Sequence, residues 1–380
     1  MNRRAFVHYA ASSSLLWMAG AGWGDPANPL ARSTPFGRAR LVRLLPFDDP
    51  RKIPPNTLEG RGGDTVLCTD LTRVTPRYPI PATDHFYVIR DLPEGDSWSE
   101  SGIRVYGLVQ RPHTVKVDDL IRRRRPQGLH LLECSGNARH WGFRLLSPAR
   151  WEGVPIADVL ARAGRKPAAT QVRVAGLEGC KAGPVASWTF KIEDLVGAGA
   201  FLATHMNGQR LPRQHGYPVR MVVPGWLGCC SIKWVNEIEL VDDTAVPSAH
   251  MISYAPLTMQ AGEPKFTRDF KPALMEVAAM PIRVEEWQTD HGLRYRIEGL
   301  VWGGDKPVRN LIIRVDHETW RPVDAYTPPH DTRTWTFWYH EFHPKAPGKY
   351  HIQLRVADEG VVCRRLNADH YGRDVIILAV

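Results

Sequence analysis

The chemistry in this sequence is concentrated around one thiol on a turn. Residues 131–141 read Leu-Leu-Glu-Cys-Ser-Gly-Asn-Ala-Arg-His-Trp. The run from Leu129 to Leu132 has strand character, and after Glu133 it breaks into Cys134-Ser135-Gly136-Asn137, a cluster of turn-formers. Such a break presents a thiol at the mouth of a sheet, on a loop held by the scaffold. Arg139 follows in the same loop. A guanidinium there supplies fixed positive charge, which lowers a thiol pKa and attracts anions. Local spacing leaves two readings open: a reactive thiolate, or a buried structural cysteine.

Other residue groups of the same kind lie further along. Leu211-Pro212-Arg213-Gln214-His215-Gly216-Tyr217-Pro218-Val219-Arg220 sets a histidine and an arginine on one short loop, and Ser231-Ile232-Lys233-Trp234 adds a lysine. Taken alone, His215 reads as readily as an ordinary loop histidine. Six cysteines occur, Cys68, Cys134, Cys180, Cys229, Cys230 and Cys363. None forms a Cys-x-x-Cys-His or a structural zinc spacing, so the sequence offers no c-type haem attachment.

The elements that must position these residues are expected as follows. Residues 25–75, rich in Pro, Gly and Arg, read as an extended arm wrapping the surface. Residues 76–245 read as a mixed α/β domain with strands over 102–109, 128–132, 171–176, 219–223 and 231–240. The clearest helix is Pro155–Ala163: Pro155 suits its first turn, Ile156, Val159, Leu160 and Ala163 repeat at 3.6 spacing, and Gly164 ends it. Residues 246–277 lose pattern and read as a linker. From 278 to 380 the chain turns all-β, with alternating strands over 295–302, 308–315, 334–339, 348–357 and 375–380, a spacing that indicates an immunoglobulin-like β-sandwich. The fold class expected is α+β.

A chain of 380 residues, 43% hydrophobic and 23% charged, is long enough for two domains with cores of their own. Its formal net charge of +9 fits a nucleic-acid, anionic-membrane or anion-handling role. The densest basic run, Arg122 to Arg125, closes a short helical pattern and reads as cations at a helix C-terminus. No nucleic-acid fold signature accompanies it, so that partner is discounted. The first residues, Met1-Asn2-Arg3-Arg4-Ala5-Phe6-Val7, precede a weakly apolar stretch and read as a twin-arginine export signal over 1–24, with Ala19-Gly20-Ala21 as cleavage site. His8 and Ser12-Ser13-Ser14 interrupt that stretch and leave too little apolar length for a stable membrane span. A periplasmic protein exported in folded form is therefore expected.

The Cys134-Ser135-Gly136-Asn137 loop with its arginine resembles the molybdenum-binding loop of the sulfite oxidase family of molybdopterin-dependent oxidoreductases. Further segments match in family order: Phe86 to Pro93, Trp151 to Leu160, Asn207 to Arg220, and Val223-Pro224-Gly225-Trp226 with Ser231 to Trp234. The resemblance spans roughly residues 75–380. It implies a molybdenum–molybdopterin cofactor with Cys134 as the metal ligand, a soft thiolate suiting a metal already bound by sulfur. His215, Arg220, Ser231, Ile232 and Lys233 correspond to cofactor contacts, Lys233 meeting phosphate. Arg90 and Arg139 match arginines that bind the substrate or hold its pocket, Arg90 also touching the cofactor; a guanidinium forks onto paired oxygens.

Three departures accompany the resemblance. The family's Asn-His after the first arginine is Asp91-Leu92, Glu178 stands where eukaryotic members have Asp, and Ala186 falls near the active-site tyrosine. Asp91 and Glu178 remain cofactor-side candidates, and Ser187 or Trp188 are candidates to replace the tyrosine. The resemblance implies oxidation of sulfite to sulfate, with electrons leaving to an external c-type cytochrome, and a homodimer formed through the β-sandwich. Two alternatives remain: the same molybdenum site acting on another small oxyanion or a sulfoxide, and a cofactor-free exported binding protein.

Overall fold

Backbone pairing between distant strands organises this chain, and its helices are short. The computed structural model describes residues 36–48, 59–61, 64–89, 102–177 and 186–380. Among them the longest helix has eight residues. The result is a strand-rich mixed α/β fold.

The sheet that carries the cysteine runs in the order Gln209–Arg210, Phe201–Met206, Leu146–Pro155, Arg125–Glu133, with Arg220–Val222 pairing beside Phe201–Met206. Its last ladder places Leu131 opposite Pro148 and Glu133 opposite Leu146, so the strand ends one residue before Cys134. A second sheet has the order Ser187–Lys191, Gln171–Gly176, Val235–Val241, Ile103–Gly107, His113–Val115. Helix α1 (Val117–Arg123) buries Leu120, and α2 (Ile156–Ala163) buries Ile156, Val159, Leu160 and Ala163 on one face. Gly164, at φ +70°, ends α2, a conformation glycine adopts without strain. With α3 (Ile192–Gly197), these helices and the second sheet close one core around Val105, Val172, Val174, Ile238 and Leu240. A small sheet of Glu59–Arg61, Asp64–Leu67 and Val88–Ile89 brings residues 86–89 alongside the cysteine loop.

The C-terminal part has two sheets, Arg40–Leu45, Ala278–Thr289, Gly292–Trp302, Thr336–Phe342, Ala325–Tyr326 and Arg321–Pro322, Leu311–Val315, Gly348–Val356, Arg373–Ile377. Their inner faces share one core that includes Ile297, Leu300, Ile313, Trp338, Ile352 and Val375. The strands expected here all form, with ends shifted by a few residues. The strand Ala278–Thr289 was not singled out, because Pro281 and the charges Arg283, Glu285 and Glu286 break an apolar alternation. Those charges are buried and paired across the ladder: Arg283 Nε donates to Glu298 at 2.6 Å and Arg296 meets Glu285 at 2.8 Å. Each carboxylate is thus held by a cation, and removing that partner would leave a buried charge unpaired. A register shift between Pro281 and Arg283 accommodates the proline, which cannot donate to the ladder.

Three sequence expectations change. Arg40–Leu45, expected within an extended arm, adds a strand to the edge of Ala278–Thr289. Residues 231–234, expected in a strand, form a loop before Val235–Val241. The segment expected as a linker holds α4 (Ala249–Tyr254), capped by the Ser248 hydroxyl accepting from the Met251 N–H at 3.2 Å. Met251, Ala255, Phe270 and Ala273 then join the core of the second sheet. Its apolar positions are too few for periodicity to reveal it.

Candidate active site

Cys134 leaves its strand with its backbone tied on both sides. Its N–H donates to the Leu145 carbonyl at 2.9 Å and its carbonyl accepts from the Asn137 N–H at 2.9 Å. The Asn137 side chain staples the turn, accepting from the Leu145 N–H at 3.1 Å and donating to Glu133 at 3.2 Å. The Gly136 N–H points at the Cys134 sulfur at 3.4 Å. A backbone donor on sulfur favours the thiolate, the form in which cysteine binds metals.

The sulfur opens on a cavity lined also by Ser135, His215, Arg220, Ser231, Ile232 and Lys233. The cofactor-side residues on the two loops noted in the sequence therefore meet at Cys134. Gly216, at φ +102°, makes the loop approach possible: a Cβ there would stand 3.0 Å from the Arg220 Cβ and 3.1 Å from that of Lys233. The guanidinium of buried Arg220 donates to the carbonyls of His215 at 3.3 Å and Ser231 at 3.2 Å. Lys233 Nζ donates to the Ile89 carbonyl at 3.0 Å. His215 has its pKa lowered to about 3, by burial first and then by Arg220 and Lys233, and its Nε2 lies 3.1 Å from the Thr83 carbonyl. A neutral imidazole donating from Nε2 keeps Nδ1 as an acceptor. The Ser231 hydroxyl accepts from the Val223 N–H at 3.2 Å, so it shapes the loop.

Several wall residues were not marked as candidates from the sequence. Tyr87, Cys229, His250 and Tyr254 all line the same cavity. Tyr87 lies in the segment already noted for Arg90, so the signal was present. His250 and Tyr254 share a face of α4, inside a segment read as a linker. His250 Nε2 is 3.0 Å from the Cys229 carbonyl, which links that helix to the Gly228–Cys230 turn. The sulfurs of Cys229 and Cys230 are 3.9 Å apart, and burial raises the Cys230 thiol well above its ordinary range.

The remaining candidates fall elsewhere. Arg139 was expected to face the substrate; instead its half-exposed guanidinium pairs with Asp374 at 3.2 Å and reaches the Gly372 carbonyl at 3.4 Å. A carboxylate from the C-terminal strand Arg373–Ile377 lies within reach, and charge pairing turns the side chain toward it. Ser187 is a strand residue whose carbonyl accepts from Ser248 Oγ at 2.8 Å, and Trp188 is buried edge-on to His250 and Phe270. Neither is among the described residues that line the cavity. Arg90, Asp91 and Glu178 lie outside the described residues.

A profile of the oxidoreductase molybdopterin binding domain matches residues 90–248. The mitochondrial sulfite oxidase of Homo sapiens is 28% identical over 221 residues, which is 53% of this chain and 40% of that protein. The corresponding enzyme of Rattus norvegicus is 27% identical over 262 residues, 62% of this chain and 47% of that protein. The chain belongs to the sulfite oxidase family.

The matched domain is one that binds molybdopterin, which sets aside the cofactor-free binding protein. Nitrate reductase [NADH] 2 of Phaseolus vulgaris is also similar, 26% identical over 312 residues, with 70% of this chain and 34% of that protein covered. The chain spans about half or less of the length of these curated relatives. The sulfane dehydrogenase SoxCD from Paracoccus pantotrophus shares the fold, with a TM-score of 0.62 and 20% identity over 91% of this chain and 87% of that one. The site's donor set fits molybdopterin: a buried thiol, two buried cations and a neutral imidazole. The buried Ser135 hydroxyl, which has no hydrogen-bond partner among the described residues, is a group that a bound cofactor would satisfy. Among the described residues no helix is long and apolar enough to cross a membrane.

Proposed function

We propose that this chain is a periplasmic molybdenum oxidoreductase that oxidises sulfite to sulfate at a Cys134-ligated centre and passes electrons to an external c-type cytochrome. The observation that carries the reading is the meeting of Cys134, His215, Arg220 and Lys233 around one buried cavity. In this reading Cys134 ligates the metal, and the Gly136 N–H steadies its thiolate. Arg220 and Lys233 offset the negative charge of the pterin phosphate, while neutral His215 and the Ser231–Lys233 backbone orient the ring system. When bound, the molybdenum centre supplies oxygen-atom transfer coupled to two electrons. Sulfite and water then give sulfate, two protons and two electrons, and the electrons leave singly. Burial of the cavity walls keeps bulk water from the thiolate. Arg90, Asp91 and Glu178 retain their expected roles toward cofactor and substrate, residues 1–24 serve as a twin-arginine signal, and 278–380 form an immunoglobulin-like dimerisation domain.

A second reading keeps the metal site and changes the substrate to another small oxyanion or a sulfoxide. It is favoured by the pairing of Arg139 with Asp374, which leaves the cavity without one cation expected for an oxyanion. Metal analysis of the purified protein tests the common part: about one molybdenum per chain is expected, and none overturns it. Sulfite-dependent reduction of ferricyanide and of a c-type cytochrome tests the first substrate. Sulfoxide reduction from a low-potential donor tests the second.

A further inference from the structure

Tyr87 has a geometry that the proposed function leaves unused. It is 7% exposed, its ring is stacked on Phe86 with centroids 5.2 Å apart, and its N–H donates to Ser147 Oγ at 3.3 Å. Stacking and backbone together fix where the phenol points. Its hydroxyl reaches the base of the cysteine loop: a Cβ on Gly228 would stand 2.8 Å from that hydroxyl and 3.1 Å from the Glu133 carbonyl oxygen. Gly228 is thus the residue whose missing side chain leaves room for the phenol beside the Glu133 carbonyl, one residue before Cys134. Tyr87 and Cys134 line the same cavity and share one packed cluster.

The Tyr87 ring is buried while its hydroxyl end lines the cavity, and tyrosine hydroxyls at such walls ordinarily find a partner. The other hydroxyl sources considered from the sequence do not supply the need. Ser187 and Trp188 lie outside the described cavity wall, and Ala186 has no hydroxyl. A fixed donor in the same cavity wall as the cysteine therefore faces the space where a small molecule must sit to react.

We propose that the Tyr87 hydroxyl donates a hydrogen bond to an oxygen atom of the substrate beside Cys134, taking over the task of the tyrosine replaced near Ala186. The inference rests on the reading of Cys134 as the molybdenum ligand. The ligand chemistry is an oxygen bonded to sulfur, in an oxyanion or a sulfoxide, since both accept this bond.

The test uses the full molybdenum-loaded protein and Tyr87→Phe, which removes only the hydroxyl. Molybdenum content, thermal midpoint and calorimetric Kd for inorganic sulfate and for dimethyl sulfoxide are measured on both proteins. The expected result is unchanged molybdenum content with weaker probe binding, roughly 10- to 150-fold for sulfate or roughly 2- to 10-fold for the neutral sulfoxide. Whichever probe responds identifies the class of oxygen acceptor. Unchanged affinity for both probes overturns the proposal, as does the failure of both to bind the wild type. Loss of molybdenum in the variant also overturns it, by making Tyr87 a cofactor-holding residue. If the variant does not fold, 3-fluorotyrosine incorporated at position 87 replaces it: a stronger donor tightens probe binding, and an unchanged Kd overturns the assignment. A wild-type protein without molybdenum fails earlier, on the cysteine reading, so the two failures are distinct.

Discussion

The buried carboxylate of Glu133, one residue before Cys134, accepts the indole N–H of Trp302 at 2.9 Å. Its other oxygen accepts from the Tyr371 hydroxyl at 2.8 Å and from Asn137 at 3.2 Å. Trp302 and Tyr371 belong to the C-terminal part of the chain, whereas Asn137 shapes the cysteine turn. The C-terminal sheets therefore help to hold the loop that presents the thiol.

Trp302→Phe removes one donor from a buried carboxylate, and is expected to cost about 1–3 kcal/mol. Tyr371→Phe should cost a similar amount. Because both donors serve one carboxylate, the double variant should depart from additivity by about 0.5 kcal/mol or more. Urea unfolding of the four proteins measures this, and full additivity would show that the two contacts are independent.

Cys134→Ser should abolish activity while leaving the fold intact. An alkoxide is a hard ligand and tunes a sulfur-bound metal poorly, while the turn is held by backbone bonds and Asn137, which the substitution leaves in place. Turnover with an artificial acceptor, beside a thermal melt, checks both parts. Retention of more than a small fraction of activity would remove Cys134 as the metal ligand.

His215 gives the folded protein an acid limit. Its folded pKa of about 3 lies below the roughly 6.5 of an exposed histidine. As pH falls below about 6.5 the unfolded chain binds a proton that the folded chain refuses, so stability declines progressively from there toward pH 3. His215→Gln retains a donor for the Thr83 carbonyl and has no such proton. Its urea midpoint should fall less steeply than the wild type's over that range, and parallel profiles would refute the assignment.

Much of this was legible because local and tertiary signals agreed. The α2 stripe ending at Gly164 could be read directly, and so could the break after Glu133, since turn-formers there follow an apolar strand. The His215–Arg220 and Ser231–Lys233 runs could be matched but not brought together by pattern alone; a folded chain was needed to converge them. What stayed hidden had physical causes. Ala278–Thr289 carries buried ion pairs in place of apolar alternation, and α4 is six residues long. Arg139 was misdirected for a different reason: its partner Asp374 lies far along the chain, and no spacing rule foretells such a contact.

That contact sets the last expectation. Asp374 also meets His351 Nδ1 at 2.5 Å and Lys349 at 3.2 Å, while His351 Nε2 reaches Asp369 at 2.7 Å. Burial opposes a charged imidazole here, but hydrogen bonds with Asp369 and Asp374 outweigh it and raise the His351 pKa. Burial likewise opposes ionised Asp374, while His351, Lys349 and Arg139 lower its pKa. The His351 contribution to stability is complete below about 6.5 and is lost as pH rises through the raised folded value. The Asp374 contribution is complete above about 3.9 and is lost on acidification. His351→Gln should therefore flatten the alkaline decline in melting temperature, opposite in sign to His215→Gln. Arg139→Gln removes a half-exposed ion pair and should cost under about 1 kcal/mol. With its guanidinium committed to Asp374, the same variant should change KM for sulfite less than about threefold, well short of the roughly 10-fold or more expected for loss of a charge-assisted substrate contact. A tenfold rise in KM would mean that Arg139 leaves Asp374 during turnover, and Asp374→Asn should then lower KM by freeing it.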